Sequence, residues 1–376
     1  MWITCRTRAT AASHSVTLDA ERPGSTLKRP MDFVTHAAVG GLVGRALAPR
    51  DPERRESTRY AVAGAVAASL PDADHVLEWL SADAYLLHHR SATHSIFFLL
   101  AVVVTVALLP GPGRARRAAV TAAALASHLF LDLLTPFGTG ILWPLLEARP
   151  SLDVLPIVAP WMVGLALLGL AAATVRAWRS GAAGRLAARL ALGGLLAFIG
   201  FEAVVASHGA AAVPGASGDV LSLPHPNRPW EAVVFATEGD VVHEHRVALG
   251  GAPRAQRTTA LIDGAHSDEV RALLQTTELA PYLARYRIPV AHVDGDTVVV
   301  EDLQYDHVLR DVEPTWLVVP RAGDGVVRAH LLVEGVQPLA WGGVVLVAWA
   351  AGREWRRRHP RTARRAELDR RTNAAP

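Results

Sequence analysis

The sequence predicts a mainly α protein, a polytopic membrane helical bundle of about five to seven membrane segments with a soluble α+β domain inserted before the last helix. Three observations support this fold class. Of the 376 residues, 51% are hydrophobic and only 19% are charged. The apolar residues come in blocks, arginines gather between the blocks, and acidic residues gather in one long stretch near the C-terminus. This composition excludes a disordered or fibrous chain, and the number of charge-poor blocks disfavours the alternative of buried helices in a soluble bundle.

The apolar blocks are the predicted membrane segments, because a bilayer core requires about 20 consecutive apolar residues. Two blocks reach that length, and three others are shorter and need help from their flanks. Two weaker segments near the N-terminus are rich in glycine and alanine and are expected to form a partly inserted hairpin. In chain order the seven segments are 34–48, 60–70, 95–109, 118–134, 158–177, 186–206 and 336–352.

The arginines predict the orientation, since cytoplasmic loops carry an excess of Lys and Arg. Arginines cluster between the first two segments, after residue 109, between the two long blocks and after the last block. If all seven segments cross, these four clusters lie on the cytoplasmic side. We therefore expect an integral, multi-pass protein of the plasma (inner) membrane, with a cytoplasmic C-terminal tail and an extracytoplasmic region at 207–337.

Composition also divides the chain into domains. Residues 1–30 contain no apolar region of the signal-peptide kind, and we expect a disordered extension or a mis-called start, because Met31 opens the first apolar segment. Four further parts surround the region 207–337. They are a membrane-embedded domain at 31–156, two further transmembrane helices at 157–206, a last transmembrane helix at 338–352 and a basic cytoplasmic tail at 353–376.

Residues 207–337 form the predicted soluble α+β domain, and 18 acidic residues against 10 arginines set it apart from the rest of the chain. Alternating apolar runs flank turns that combine Asp and Gly, which is a hairpin signal. The expected strands are 231–236 with 241–247, then 297–303, then 315–319 with 326–333, and short helices are expected at 268–274 and 280–285.

Histidines and aspartates concentrate at the ends of the first four segments, and under the predicted topology these ends all reach the outer membrane face. His128 and Asp132 stand four residues apart, on one face of a helix. Asp72 and Asp74 end a helix, where the helix dipole disfavours negative charge and a bound cation would compensate. The full set is His36, Asp72, Asp74, His88, His89, His94, His128 and Asp132.

This set predicts a divalent-metal site. Taken singly, a histidine at a helix end is usually solvated and an aspartate after proline usually forms a turn, but the joint set on one membrane face favours ligation. Cys5 is the only cysteine, which excludes a Cys-based zinc site and an intrachain disulfide. Ligands of the His and Asp type suit Zn²⁺ best, with Mn²⁺ or Fe²⁺ as alternatives. Arg90 is expected either to clamp a substrate phosphate or to anchor the chain at the interface.

Four motifs in this region carry a family resemblance. They are Thr35-His36 followed by Gly40, Pro71-Asp72-Ala73-Asp74, His88-His89-Arg90-Ser91-Ala92-Thr93-His94-Ser95, and His128-x-x-x-Asp132-x-x-Thr135-Pro136-x-Gly138. Together they resemble the YdjM-like family of membrane-bound, metal-dependent hydrolases, also labelled LexA-binding inner-membrane proteins. The resemblance covers about residues 31–156. Segments 282–289 and 300–305 look like the extra C-terminal domain of longer members.

A more distant similarity is to zinc-dependent phospholipase C and the single-strand nucleases of its superfamily, and it implies phosphoester hydrolysis. It implies metal ligation by His36, Asp72, His94, His128 and Asp132, with His88 of the same motif as a further candidate ligand. Asp74 would orient or deprotonate a water molecule, while His89 and Arg90 would stabilise charge on phosphoryl oxygens. Expected substrate contacts come from Arg90, Thr93, Ser95 and Thr135.

The sequence thus predicts a membrane-bound, metal-dependent hydrolase that acts at the outer membrane face on a phosphoester of a lipid or amphiphilic substrate through a metal-activated water. Its expected partners are membrane lipids and this substrate, with no direct binding of nucleic acid. The alternative is a non-enzymatic scaffold or regulatory protein that binds a cytosolic partner through its basic loops and tail. A transporter is disfavoured, because the polar residues lie at helix ends and not at the bilayer midplane.

Overall fold

The computed structural model describes most of the chain between residues 31 and 330. The predicted extension at 1–30, last helix at 338–352 and basic tail at 353–376 lie outside the described residues. The described ranges are 31–49, 53–213, 220–263, 267–275, 279–294, 297–305, 316–320 and 328–330.

Seven α-helices form the N-terminal part. Two short 3₁₀ helices, Pro71–Trp79 and Ala92–His94, lie on either side of the third α-helix. The main core lies between the first, fifth, sixth and seventh helices, where Leu42, Leu131 and Met162 are almost completely buried. The helices are α1 (Met31–Ala46), α2 (Arg54–Ser69), α3 (Ala82–His88), α4 (Ile96–Leu108), α5 (Arg114–Leu133), α6 (Pro160–Arg179) and α7 (Gly181–Ala212).

Helices α1 and α2 form the predicted glycine-rich hairpin. Their backbones touch, because a Cβ atom at Gly44 would collide with the carbonyl oxygen of Tyr60, and one at Gly64 would collide with the carbonyl oxygen of Gly40. Small residues allow helix backbones to approach this closely. The antiparallel arrangement brings the start of α1 next to the end of α2, and both ends carry residues of the His and Asp set.

The expectation of five to seven membrane segments is wrong. Within the described residues two helices, α6 and α7, are long and apolar enough to cross a membrane. A third span exists only if the bent pair Ala84–His94 and Ile96–Leu108, which meet at 51°, is counted as one. Helices α1 and α2 have 16 residues each, so each is only about 24 Å long. They use their apolar residues to pack against each other and against α5, which itself begins with three arginines in its first four residues.

Two β-sheets follow the helices. The first is antiparallel with the order β1-β2-β3-β4 (Val220–His225, Arg228–Glu238, Val241–Ala248, Arg254–Ala260). Its β2–β3 pair is the predicted hairpin at 231–247. The second has the order β5-β6-β7-β8-β9 (Ile262–Asp263, Pro289–Asp294, Thr297–Asp302, Trp316–Pro320, Arg328–His330) and is antiparallel except between β5 and β6. The two expected short helices are present as α8 (Ser267–Leu274) and α9 (Ala280–Leu283).

Each sheet packs against a different part of the helical region. The first sheet lies on the last turns of α7, where Ser222 Oγ donates a hydrogen bond to the carbonyl oxygen of Ala206 at 2.7 Å. The second sheet packs its apolar residues around Leu86 of α3. Arg285 also donates a hydrogen bond to the carbonyl oxygen of Leu87. Both sheets therefore contact the end of the helical region that carries the His and Asp residues.

Candidate metal centre

Four chain segments bring six histidine and aspartate side chains together. The segments are the first turns of α1, the 3₁₀ helix after α2, the 3₁₀ turn before α4 and the last turns of α5. All six side chains belong to residues that are between 0% and 8% exposed, although they carry ionisable groups. They are His36, Asp72, Asp74, His94, His128 and Asp132.

The Asp132 carboxylate lies at the middle of this cluster. Its Oδ1 is 3.2 Å from Nε2 of His36, and its Oδ2 is 3.1 Å from Nε2 of His128 and 3.3 Å from Nε2 of His94. Asp72 approaches from the other side, with Oδ1 3.6 Å from the Nε2 atoms of both His94 and His128. These atoms form two overlapping groups of three ligands, His36 with His128 and Asp132, and Asp72 with His94 and His128. A third group, Asp74 with His89 and His94, adjoins them and shares His94.

The spacing of these atoms fits ligands around an ion better than hydrogen-bonded pairs. Metal–ligand bonds of about 2.0–2.2 Å in a tetrahedral arrangement separate neighbouring ligand atoms by about 3.4 Å. The distances from His94 and His128 to the carboxylates are close to this value. Within the described residues the buried Nε2 atoms of His94 and His128 make no hydrogen bond, and neither does Oδ2 of Asp132. Buried polar atoms without a hydrogen bond are rare, and a bound cation would satisfy all three.

His128 is oriented by the backbone of a neighbouring helix. Its Nδ1 lies 2.6 Å from the carbonyl oxygen of Ala68, on α2. Since a carbonyl oxygen can only accept, Nδ1 carries the proton, and in the neutral imidazole Nε2 then presents a lone pair. This second contact of a ligating histidine is the usual arrangement at metal sites. Ala68 lies in the last turn of α2, which ends at Ser69, two residues before Pro71.

Asp74 belongs to a separate hydrogen-bonded unit at the edge of the cluster. Its Oδ1 lies 2.9 Å from Nδ1 of His89, and its Oδ2 accepts from the backbone N–H of Arg90 and from Oγ1 of Thr93. Burial alone would raise the pKa of Asp74, but the charge and hydrogen bond of His89, with smaller contributions from His94, hold it well below its usual range. Asp74 is therefore ionised.

Asp72 is ionised for a similar reason. Burial favours its neutral form, yet His128, His94 and His36 around it lower its pKa below the ordinary value of a carboxyl group. The site thus combines a carboxylate at Asp72 with imidazole nitrogens at distances suited to a shared cation.

Arg90 lies next to Asp132 of the cluster and is only 2% exposed. Its Nη2 lies 3.0 Å from Oδ1 of Asp132, and its Nη1 donates to Oγ1 of Thr135 at 2.7 Å. Its backbone has φ of +57°, a left-handed conformation that is uncommon outside glycine. The guanidinium therefore holds the Asp132 carboxylate and the end of α5 in place.

The helical region also matches a known protein family. Residues 31–208 match the family model described as YdjM inner membrane protein. The matched segment, 178 of the 376 residues, is a YdjM-family segment. The match covers α1 to α7 up to residue 208 and therefore the whole cluster, and it extends past the boundary at residue 156 expected from the motifs. Neither the curated proteins nor the solved structures give a match, so the similarity to zinc-dependent phospholipase C stays a prediction.

The match to this family, together with the apolar helices α6 and α7, supports a membrane location. The two sheets begin at Val220 and lie entirely outside the matched segment. The resemblance of segments 282–289 and 300–305 to a C-terminal domain of longer YdjM members is therefore a prediction.

Not every predicted site residue faces the cluster of six His and Asp side chains. His88 is exposed and belongs to none of the ligand groups found among the described residues. Ser95 caps α4, because its Oγ accepts a hydrogen bond from the backbone N–H of Phe98 at 3.2 Å. Thr93 and Thr135 hydrogen-bond to Asp74 and Arg90 respectively. These three hydroxyl groups support the cluster from within the protein.

Arg149 lies outside the motifs that the sequence singles out, yet it contacts the site. Its Nη2 donates to Oγ of Ser91 at 2.6 Å and to the carbonyl oxygen of His89, so it braces the segment that carries His89 and Arg90. Its guanidinium carbon also lies 5.9 Å from the centre of the Phe137 ring. A signal was present, since Arg149 is the single arginine in the loop 135–157, which the positive-inside pattern leaves unexplained.

Proposed function

We propose that this protein is a membrane-bound, metal-dependent hydrolase that acts on a phosphoester of a lipid or amphiphilic substrate. The observation that carries the proposal is the buried cluster of His94, His128 and Asp132. Their non-hydrogen-bonded atoms face one another at distances close to those between neighbouring ligands of one metal ion. Without a cation, three such groups in a buried site would be costly. A bound divalent ion removes that cost.

The donor set suits zinc. Each of the two overlapping groups offers three protein ligands, and three protein ligands are typical of catalytic zinc sites, where the remaining position accepts water or substrate. Imidazole with carboxylate also suits Mn²⁺ and Fe²⁺. When bound there, a divalent ion lowers the pKa of a water molecule toward about 7 and polarises the scissile ester.

The chain's own residues have distinct roles in this proposal. His36, Asp72, His94, His128 and Asp132 hold the ion. Arg90 keeps the Asp132 carboxylate oriented. The ionised Asp74 and its partner His89 form the acid–base pair that receives a proton from the attacking water and returns one to the leaving oxygen.

The membrane orientation is part of the proposal and rests on the helix ends. Arg45 and Arg189 lie at one end of the bundle, where Arg45 donates to Oγ1 of Thr174 at 3.3 Å and Nε of Arg189 donates to the carbonyl oxygen of Ala46 at 3.2 Å. The metal centre lies at the opposite end of α1. Because basic ends of membrane helices face the cytoplasm, the centre and the first sheet would face the extracytoplasmic side. The orientation given by these helix ends does not require seven membrane crossings.

Metal content tests the proposal. Detergent-purified protein is measured by elemental mass spectrometry beside a His128→Ala, Asp132→Ala double variant. A matched control is the His243→Ala, Glu238→Ala variant, which removes a His–carboxylate pair 3.8 Å apart on the exposed face of the first sheet. We expect at least one equivalent of zinc, manganese or iron in wild type and control, and loss of it in the cluster variant.

Turnover then tests the reaction class. Metal-loaded wild type is screened against phospholipids and soluble phosphomonoesters and diesters, with Asp132→Asn as the inactive comparison. A well-folded wild type that binds no metal even after metal is added back would contradict the proposal. That result would favour the scaffold alternative and direct attention to the basic surfaces.

A further inference from the structure

A cavity of about 410 Å³ lies under the loop that follows α5 and the turn at Gly138. Its walls are formed by Ile141, Leu142, Leu146, Ala148, Arg149 and Pro150. The volume falls within the range of about 300–1,000 Å³ typical of small-molecule sites. The lining is apolar except for one cation, the guanidinium of Arg149.

The cavity wall is continuous with the metal centre. The carbonyl oxygen of Ile141 accepts the backbone N–H of Ile96, two residues after His94, at 2.9 Å. The backbone N–H of Gly140 donates to the carbonyl oxygen of Arg90, also at 2.9 Å. The loop that forms the cavity therefore lies directly against the segment His89–His94, which contributes the acid–base pair and one ligand.

Arg149 lines the cavity and also contacts the segment next to the metal centre. Its Nη2 is engaged with Ser91 and with the carbonyl oxygen of His89. Its Nη1 is buried and makes no hydrogen bond within the part of the chain that the structure describes. Since protein atoms already enclose Nη1, Arg149 offers the cavity its positive charge, which suits a phosphate group.

The outer surface of the same loop is apolar and exposed. Leu145 is 73% exposed, Leu146 is 54% exposed and Trp143 is 39% exposed. Helix α4 continues this surface, since none of its 13 residues is buried by the described part of the chain. In an inner membrane protein, such a continuous apolar face with a tryptophan is typical of the lipid interface.

We propose that the cavity lined by the loop 141–150 takes an acyl chain of a membrane phospholipid, and that the positive charge of Arg149 in its wall attracts the phosphate of the same molecule. This inference rests on the proposed function in one respect, because it identifies the substrate of the metal centre as a diacyl phospholipid with its ester phosphate next to His89. The occupant is inferred from the continuity of the cavity with the exposed apolar face and from the single cation in its wall.

The test uses a phosphatidylglycerol that carries a diazirine near the end of one acyl chain. Full-length protein is placed in nanodiscs of phosphatidylethanolamine and phosphatidylglycerol with this probe, irradiated, digested and analysed by mass spectrometry. Wild type is compared with Ala148→Phe, which fills the cavity, and with Leu146→Gln, which makes its wall polar. The matched control is Leu145→Gln, a neighbouring exposed leucine that does not line the cavity.

We expect labelling within 141–150 in wild type, a loss of at least fivefold in Ala148→Phe and Leu146→Gln, and less than twofold change in Leu145→Gln. Equal labelling in all four proteins would show general contact of the loop with lipid and would overturn the inference. Absence of label in 141–150, or crosslinking of this loop to residues 338–352 or to a second copy of the chain, would also overturn it. If one variant fails to fold, the other still decides.

The experiment separates this inference from the proposed function. Labelling is measured in Asp132→Asn as well, where we expect it to persist, because the cavity does not include the metal ligands. If the wild-type protein shows cavity-dependent labelling but binds no metal and has no turnover, the result would support the lipid site and contradict the hydrolase. Metal-dependent turnover, together with labelling that is the same in the cavity variants as in wild type, would support the hydrolase and contradict the lipid site.

Discussion

The carbonyl oxygen of Ala68 lies 2.6 Å from Nδ1 of His128 and fixes that imidazole from a different helix. The contact spans 60 residues of sequence and joins the last turn of α2 to α5. It directs Nε2 of His128 toward both Asp132 and Asp72, at 3.1 Å and 3.6 Å. His128 is thus the residue shared by the two ligand groups, and metal binding depends on how well it is held.

Replacement of His128 tests this position. In His128→Asn the side-chain amide can still donate to Ala68, but no nitrogen lone pair faces Asp132. Loss of a contact to a ligating residue costs about 10- to 100-fold in metal affinity, and loss of the ligand itself should exceed that range. We expect zinc affinity to fall more than 100-fold in a chelator competition assay. His88→Asn is the control, since His88 is exposed, and an equal loss in that variant would instead make His88 a ligand.

Removal of Arg90 should destabilise the protein. The side chain is 2% exposed and its ion pair with Asp132 is buried, and removing one partner of a buried pair costs about 3–5 kcal/mol. We expect Arg90→Ala to lower the free energy of unfolding by that amount in metal-free protein, and Arg90→Lys to recover only part of it, because one ammonium cannot contact Asp132 and Thr135 in the same geometry.

The control for Arg90 is Arg228→Ala. Arg228 forms an exposed pair with Glu231 at 3.2 Å, and such pairs contribute less than about 1 kcal/mol. Denaturant unfolding in detergent gives both values. A change in Arg90→Ala no larger than in Arg228→Ala would show that the guanidinium does not hold the Asp132 carboxylate.

Close packing of α1 on α2 makes Gly44 intolerant of a side chain. In Gly44→Ala the new methyl group meets the carbonyl oxygen of Tyr60, which is backbone and cannot turn away. Overpacking of this kind costs about 1–3 kcal/mol. We expect a lower unfolding temperature and reduced metal content, because the shift separates His36 on α1 from Asp72 beyond α2.

Gly193→Ala is the matched change on α7, where nothing lies within 4 Å of the added methyl group. It should stabilise slightly, since alanine exceeds glycine in helix propensity by about 1 kcal/mol. If both variants behave alike, the close contact between α1 and α2 does not determine stability.

Part of the site was predictable from sequence because its residues lie at segment ends. Asp72, His94, His128 and Asp132 stand at the starts or ends of apolar blocks, and the i, i+4 spacing of the last two places them on one helix face whatever the tertiary structure. The position of Arg90 was not predictable, because its left-handed backbone and its contact with Asp132, 42 residues away, arise only from packing. The same holds for Arg149, whose partners lie about 60 residues upstream.

The number of membrane segments could not be read from apolar blocks alone. In α1 and α5, alanine and leucine pack between helices around the metal centre, and composition does not distinguish that burial from exposure to lipid. Strand pairs such as β2–β3 were predictable because a short turn at Gly239 joins two alternating runs. The docking of the second sheet on Leu86 of α3 was not, since it joins residues about 200 positions apart.

Arg287, two residues before β6 of the second sheet, should protect the segment that follows the loop 141–150. Its Nη1 donates to Oγ of Ser151 at 2.6 Å and its Nη2 to Oδ2 of Asp153 at 2.8 Å. Those residues are tied in turn to the end of α5, since the backbone N–H of Leu152 donates to the carbonyl oxygen of Leu133 at 2.7 Å.

In Arg287→Ala we expect global stability to change by less than about 1 kcal/mol, because the ion pair is partly exposed, while amide hydrogen exchange in residues 151–155 becomes at least fivefold faster as the segment opens locally. Hydrogen exchange read by mass spectrometry measures both regions in one sample. Arg228→Ala should leave 151–155 unchanged, since its partner Glu231 is on the first sheet. Unaltered protection of 151–155 in Arg287→Ala would mean that the hydrogen bonds to the end of α5 hold this segment without help from the second sheet.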